Sequence, residues 1–311
     1  MRMQEYRHIF GPLPSRRMGL SLGVSPVPKK YCNYSCVYCQ LGRTPKLQKS
    51  KGMYFPVADI LAEVADYLKS GVNFDVLTVV GEGEPTLYEG LGELLTGLKK
   101  LTDKPVAVIT NSALLPDEEV RQALAKADIV MPSLDAYDDA SFKKINRPRK
   151  EMSFDEIYQG LVTFSREFQG QLWLEIMLVQ GLNDDEASLL KLKGLLEKIR
   201  YDRLFVNSPV RPPAEGWVKE PDEGALERAA ELLGGLSISK SASPDFFSEV
   251  PDHYEAILSI IKRHPMNQHE ISSFLNSRGC SDQEQVFAQL EQNPAVEIVD
   301  YKGYRTYRLV K

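Results

Sequence analysis

At 311 residues the chain is longer than an ordinary domain and matches one α/β barrel of roughly 200–250 residues with a small appended module. Apolar residues make up 43% and charged residues 26%, enough to bury a sizeable core, which excludes disordered, collagenous and low-complexity classes. The net charge of −5 offers no bulk attraction to nucleic-acid phosphates. No apolar run approaches a span of about 18 residues and the first ten residues lack a signal-peptide core, so the expectation is a cytoplasmic protein without membrane association.

In chain order, apolar β-branched runs at residues 20–24, 76–80, 106–110, 129–132, 172–179 and 204–206 read as strands. Helical candidates lie between and after them at 58–69, 91–100, 117–126, 154–168, 185–200 and 220–233; in the first, Ile60, Leu61, Val64 and Leu68 recur at near-helical spacing. Six consecutive βα units predict an α/β fold, an open parallel (β/α)6 partial barrel with its chemistry at the carboxyl ends of the strands. The polar, serine-rich segment 237–247, broken by Pro244, reads as a linker and divides a barrel over 1–240 from a second unit over 250–311. In that unit, helical candidates 252–263, 268–276 and 281–292 precede strands 296–300 and 304–310 that flank Lys302-Gly303 as a hairpin, the element order of a winged-helix-like α+β domain.

Of the four cysteines, three fall within Cys32-Asn33-Tyr34-Ser35-Cys36-Val37-Tyr38-Cys39, a C-x3-C-x2-C spacing on the loop after the first strand candidate. Such usage fits ligands in a reducing compartment, not a disulfide framework. Three thiolates this close can surround an iron–sulfur cluster, and a [4Fe–4S] cluster with three protein ligands leaves one iron open to a small molecule. A zinc site needs a fourth ligand, and the histidines (His8, His253, His264, His269) and Cys280 are not close in sequence; a zinc knuckle or reduced buried thiols are the competing assignments. Cys280 reads as a lone small apolar residue.

Cys32, Cys36, Tyr38 and Cys39 fit the C-x3-C-x-aromatic-C hallmark, and the chain here resembles the radical S-adenosylmethionine (SAM) superfamily. The resemblance implies that Cys32, Cys36 and Cys39 hold a [4Fe–4S] cluster whose open iron chelates SAM, with Tyr38 near the adenine. Gly81-Glu82-Gly83-Glu84-Pro85 stands after the second strand, where the family has a G-G-E-P segment; by resemblance Gly83, Glu84 and Pro85 contact the methionyl amino group, and Glu82 replaces the usual first glycine. Asn111, Ser133 and Asp135 follow the third and fourth strands and can bind ribose or the methionine carboxylate as similar family residues do, with helix capping as the alternative. Gly181 can flank adenine, and Asn207 and Arg211 can face SAM or substrate; Glu175 can instead be a satisfied interior carboxylate. Lys143, Lys144, Arg147 and Arg149 form a basic stretch that can touch an anionic substrate or simply be solvated.

The run from Phe10 through Pro14 to Arg16 and Arg17, with Ser21 to Val24 and Cys39 to Gly42, resembles stand-alone, wyosine-synthase-like iron–sulfur oxidoreductases, over roughly residues 8 to 215. This implies an enzyme that cleaves SAM reductively to a 5′-deoxyadenosyl radical, which abstracts hydrogen from a small metabolite, peptide or RNA, with electrons from a flavodoxin- or ferredoxin-type donor. The acidic charge and the lack of cysteines before Cys32 for a second cluster weigh against tRNA modification. Arg16 and Arg17 can hold a substrate phosphate or carboxylate, or pair with local acids. The alternative class is an iron–sulfur redox sensor acting through the C-terminal unit; against DNA binding, segment 281–292 carries Asp282, Glu284 and Glu291 and no basic residue.

Overall fold

The computed structural model describes residues 6–238, 246, 248 and 250–310. An edge strand β1 (Ile9–Ser15) leads into β2 (Gly19–Val24), α1 (Val57–Leu68), β3 (Val76–Val79), a 3-10 turn (Pro85–Leu87), α2 (Leu91–Leu101), β4 (Val106–Thr110), α3 (Glu118–Leu124) and β5 (Ile129–Pro132). Then follow α4 (Asp139–Ile145), α5 (Phe154–Glu167), β6 (Gln171–Met177), α6 (Glu186–Leu196), β7 (Arg203–Asn207), α7 (Glu223–Leu233) and β8 (Leu236–Ser237). These strands form one sheet in sequential order, parallel from β2 to β8, with β1 antiparallel on the β2 edge. The six expected βα units are present, and two strands are added at the sheet's edges. β1 escapes the sequence pattern because Gly11, Pro12 and Pro14 interrupt it; an edge strand tolerates proline since one side of its backbone needs no sheet partner.

Both faces of the parallel strands are buried, and residues alternate between them. Leu77, Val79, Val108, Val130, Leu174 and Val206 pack under the helices in the main core, whereas Val76, Ala107, Ile129, Met131, Trp173 and Phe205 join Met18 and Ile238 in a second cluster on the opposite face. Several predicted helices begin at their caps: Asp117 and Asp185 accept hydrogen bonds from Glu119 N (2.9 Å) and Ser188 N (3.0 Å), so the helices proper start one residue later. The basic stretch is partly helical, which the sequence pattern did not predict. Asp138 and Ser141 form a capping box that starts α4, and Lys143 and Lys144 stand exposed on it.

The remaining elements are α8 (His253–Ile261), β9 (Met266–Asn267), α9 (Gln268–Ser277), α10 (Gln283–Gln292), β10 (Val296–Tyr301) and β11 (Tyr304–Leu309), with β9, β10 and β11 forming a separate antiparallel sheet. Their core contains Ile257, Ile261, Phe274, Leu275, Leu290 and Tyr307, and Cys280 packs at its edge. Leu13 of β1 belongs to this core and Phe10 packs against it, so the C-terminal unit covers the free edge of the barrel sheet. Most of the serine-rich segment read as a linker lies outside the described residues. Among the described residues no helix is long and apolar enough to cross a membrane.

Candidate iron–sulfur and SAM site

The residues between the cysteines anchor the loop. Asn33, Tyr34 and Val37 are buried; Tyr34 meets the Phe142 ring edge-on at 5.2 Å, and Val37 packs with Val179 and Val218. Backbone bonds from Val37 N to Ile145 O (2.9 Å) and from Ser35 N to Asn146 O (3.1 Å) tie the loop to the end of α4. With these three side chains facing the protein, Cys32, Cys36 and Cys39 remain only partly buried.

Each sulfur is met by an N–H donor. Asn111 Nδ2 (3.5 Å) and the Tyr34 backbone (3.4 Å) donate to Cys32 Sγ, Asn146 Nδ2 donates to Cys36 Sγ (3.5 Å), and Lys30 Nζ donates to Cys39 Sγ (3.6 Å). Burial, with Glu84 adding to it, pushes the Cys32 thiol up to about 12; burial and the neighbouring cysteines push Cys36 well above its ordinary value. Such groups ionise when a metal centre supplies the positive charge, and N–H donors are what metal-bound thiolate sulfurs accept. Among the described residues no three His, Cys, Asp or Glu side chains are gathered as ligands of one ion. The donor set fits an iron–sulfur cluster, in which each thiolate binds a different iron.

The glycine-acid segment after β3 is stitched to the start of this loop, through Lys30 N to Glu82 O (2.5 Å) and Glu84 N to Tyr31 O (2.7 Å). A Cβ on Gly83 would stand 2.0 Å from the Tyr31 carbonyl oxygen, so only glycine admits this approach. Glu84 is buried, and its carboxylate accepts from Thr86 N (3.0 Å), Thr86 Oγ1 (2.6 Å), Thr110 Oγ1 (2.6 Å) and Asn111 N (2.8 Å), bracing the ends of β3 and β4 beside buried Pro85. That uses the ordinary acceptor capacity of a carboxylate. Burial raises its pKa, and these hydrogen bonds oppose the rise.

Asp135 is a buried junction. It accepts from the Tyr38 hydroxyl, from Asn146 Nδ2 (2.8 Å) and from Met177 N (2.9 Å), and burial raises its pKa to about 6 against those bonds. It thereby orients the Tyr38 ring and the Asn146 amide that reaches Cys36. Asn111 likewise bonds Asn33 Oδ1 (2.8 Å) in addition to Cys32. Neither Asn111 nor Asp135 caps a helix; Asp138 caps α4 instead. Ser133 is half-buried, and its carbonyl accepts from Ser112 Oγ (2.7 Å). Gly181 is exposed with φ of 72°, and Asn207 turns its side chain back on Ser208 N (2.8 Å). The structure therefore joins Cys32, Cys36, Tyr38, Gly83, Glu84, Asn111 and Asp135 in one network, and sets Gly181 and Asn207 apart at the ends of β6 and β7. Lys30, Asn33 and Asn146 were not singled out in the sequence, because nothing local marks a distant amide as a sulfur donor.

The loop from β7 to α7 links this site to the C-terminal unit. On one side Glu215 pairs with Arg43 (2.7 Å) and Arg147, which hold its carboxyl down at about 2, and its N–H reaches Val37 O (3.2 Å). On the other side Arg211 forks onto Glu270, and Glu220 pairs with Lys302. Thus Arg147 of the basic stretch holds a loop, Arg149 pairs with Glu151 (3.1 Å), and Arg211 bridges the two units. Arg17 pairs with Glu175, which is the satisfied interior carboxylate. A cavity of about 550 Å³ lies between this loop and the C-terminal unit, and Arg16 and Gln180 also line it. Glu82, in place of the expected glycine, pairs with Arg263 at 3.3 Å beside the Phe10 ring.

Residues 27–192, more than half of the chain, match the Radical SAM superfamily. The chain is 34% identical over 282 residues to the UPF0026 protein MJ1312 of Methanocaldococcus jannaschii, covering 88% of this chain and 87% of that protein. It is 39% identical over 227 residues, 73% of its length, to a Brachyspira hyodysenteriae protein named GTPase Obg, but spans only 33% of that relative. A solved structure of TYW1 with a lysine-pyruvate adduct bound superposes with a TM-score of 0.53 at 21% identity, over 70% of this chain and 74% of that one, a likeness of fold. With the cysteine loop and its sulfur donors seated above a parallel βα sheet, these matches show that the chain belongs to the radical SAM superfamily, whose members use SAM and an iron–sulfur cluster.

Proposed function

We propose that the protein is a radical SAM enzyme in which Cys32, Cys36 and Cys39 hold a [4Fe–4S] cluster with one iron open to SAM. The carrying observation is that all three sulfurs receive N–H donors from the surrounding fold. With cluster and SAM bound, the chemistry supplied is one-electron cleavage of the sulfonium C–S bond, giving methionine and a 5′-deoxyadenosyl radical that takes a hydrogen atom from the substrate.

The chain's own residues bind, orient and exclude water. Gly83 lets the segment after β3 run against the cysteine loop, and Asp135 fixes the ring of Tyr38 for an adenine. Met18, Trp173 and Phe205 belong to the apolar cluster on the sheet face opposite the helices. The C-terminal unit covers the β1 edge and meets the β7–α7 loop, walling the space in which a substrate C–H must be held near the radical. We assign residues 250–311 to a winged-helix-like domain with this walling role. A regulator that binds DNA is less well supported, since α10 presents no lysine or arginine. A flavodoxin- or ferredoxin-type protein is the proposed electron donor.

The test is anaerobic reconstitution with iron and sulfide, reduction by dithionite, addition of SAM and quantification of 5′-deoxyadenosine. Formation above a no-enzyme control is expected, with Cys36→Ala losing both cluster absorption and product. Full iron content in Cys36→Ala would refute the ligand assignment; a full cluster in the parent chain without product would refute the activity.

A further inference from the structure

Arg16 and Arg17 are adjacent in sequence and opposite in circumstance. Arg17 turns to the interior face of the sheet and is neutralised by Glu175. Arg16 is exposed where it lines the cavity between the β7–α7 loop and the C-terminal unit, and its side chain has no hydrogen bond or ion pair among the described residues. Every other charged side chain among the described residues that line the cavity is committed. Arg211 is forked onto Glu270, with His264 Nε2 2.9 Å from its Nη2; Lys302 pairs with Glu220; Asp222 accepts from Ala225 N (2.6 Å) at the start of α7. Among the described residues the wall therefore presents one unpaired guanidinium, that of Arg16. Partial burial and the nearby Arg211 charge lower the pKa of Arg16, while Glu270 and Glu220 offset this only in part. An exposed, unpaired guanidinium beside a second arginine leaves its donors open to an anion that enters the cavity.

We propose that Arg16 is the recognition group for the oxyanion, carboxylate or phosphate, of a small-molecule substrate bound in this cavity. A guanidinium offers five donors in a planar fork that matches either group bidentately. The cavity, about 550 Å³, is of small-molecule size, and Val210, Leu226 and Tyr304 supply apolar wall for the rest of the ligand. Gln180 and Ser208, just beyond the carboxyl ends of β6 and β7, place the same cavity at the catalytic end of the sheet. That the ligand is the substrate rests on the radical SAM reading; that the cavity binds an oxyanion does not.

The experiment is calorimetric titration of the full chain with pyrophosphate and, separately, malonate at fixed ionic strength, with and without the reconstituted cluster. Saturable binding of at least one anion is expected, weakened at least tenfold in Arg16→Gln, less in Arg16→Lys, and unchanged in Lys143→Gln, whose lysine is exposed on α4. Preference between the two anions identifies the phosphate or carboxylate class. Equal affinity in Arg16→Gln with unchanged circular dichroism, or no binding of either anion to the parent chain, overturns the proposal. Arg16-dependent binding in a chain that makes no 5′-deoxyadenosine would sink the enzymatic reading and leave the anion site standing.

Discussion

Asn146 shows how much one amide carries at this site. Its Nδ2 bridges Cys36 Sγ and the Asp135 carboxylate, so it both donates to the sulfur of a proposed cluster ligand and fixes the junction that orients Tyr38. Hydrogen bonds to cluster sulfurs favour the more negative, reduced state. A bond of about 1 kcal/mol corresponds to roughly 40 mV for a one-electron couple. Asn146→Ala is therefore expected to retain iron and to lower the reduction potential by tens of millivolts, read by anaerobic spectroelectrochemistry. An unchanged potential would mean that the bond is not made when the cluster is bound. The cysteines themselves were legible in the sequence, since their spacing is local. Asn146 was not, because it lies 110 residues from Cys36 and meets it only through the packing of α4.

Among elements, the β3 loop and the cysteine loop form one unit held by backbone hydrogen bonds around a glycine. Gly83→Ala would place a methyl group 2.0 Å from the Tyr31 carbonyl oxygen, and backbone on both sides has little room to yield. The expected cost is about 1–3 kcal/mol in urea unfolding, typical of forced overpacking, with weakened SAM binding. Gly181→Ala adds a methyl group in open space but must keep φ at 72°, so it probes strain alone. Most elements were readable because apolar periodicity and capping aspartates are properties of short segments. β1 was not, since its prolines mimic a turn and its place depends on the β2 edge and on a core that begins some 240 residues later.

For the whole molecule, the decisive contact is between the barrel and the C-terminal unit. His264 lies in that contact beside Arg211, with the Phe246 ring 5.5 Å away, and burial together with Arg211, Arg16 and Arg17 holds its pKa well below the ordinary 6.5. The folded protein keeps this imidazole neutral while the unfolded chain takes up a proton below about 6.5, so stability is complete above that pH and falls as the pH drops through it. The slope approaches about 1.4 kcal/mol per pH unit. Melting temperatures from pH 7.5 down to 5.5 are expected to fall less steeply in His264→Gln than in the parent chain; parallel curves would show that His264 titrates normally.

The sequence by itself determined the α/β class, the run of βα units and the cysteine loop that marks the radical SAM superfamily, because periodicity and ligand spacing are short-range properties of a chain. It set Arg16 beside Arg17 without distinguishing them, and placed Glu82 where a glycine is usual without giving it a partner. Only the tertiary structure decided that Arg17 is neutralised by Glu175, that Arg16 lines a cavity with no partner among the described residues and that Glu82 meets Arg263. The physical reason is that a charge acquires its role from the charges the fold brings within a few ångströms. Sheet order, strand edge and inter-unit packing set those neighbours over separations that no local pattern records.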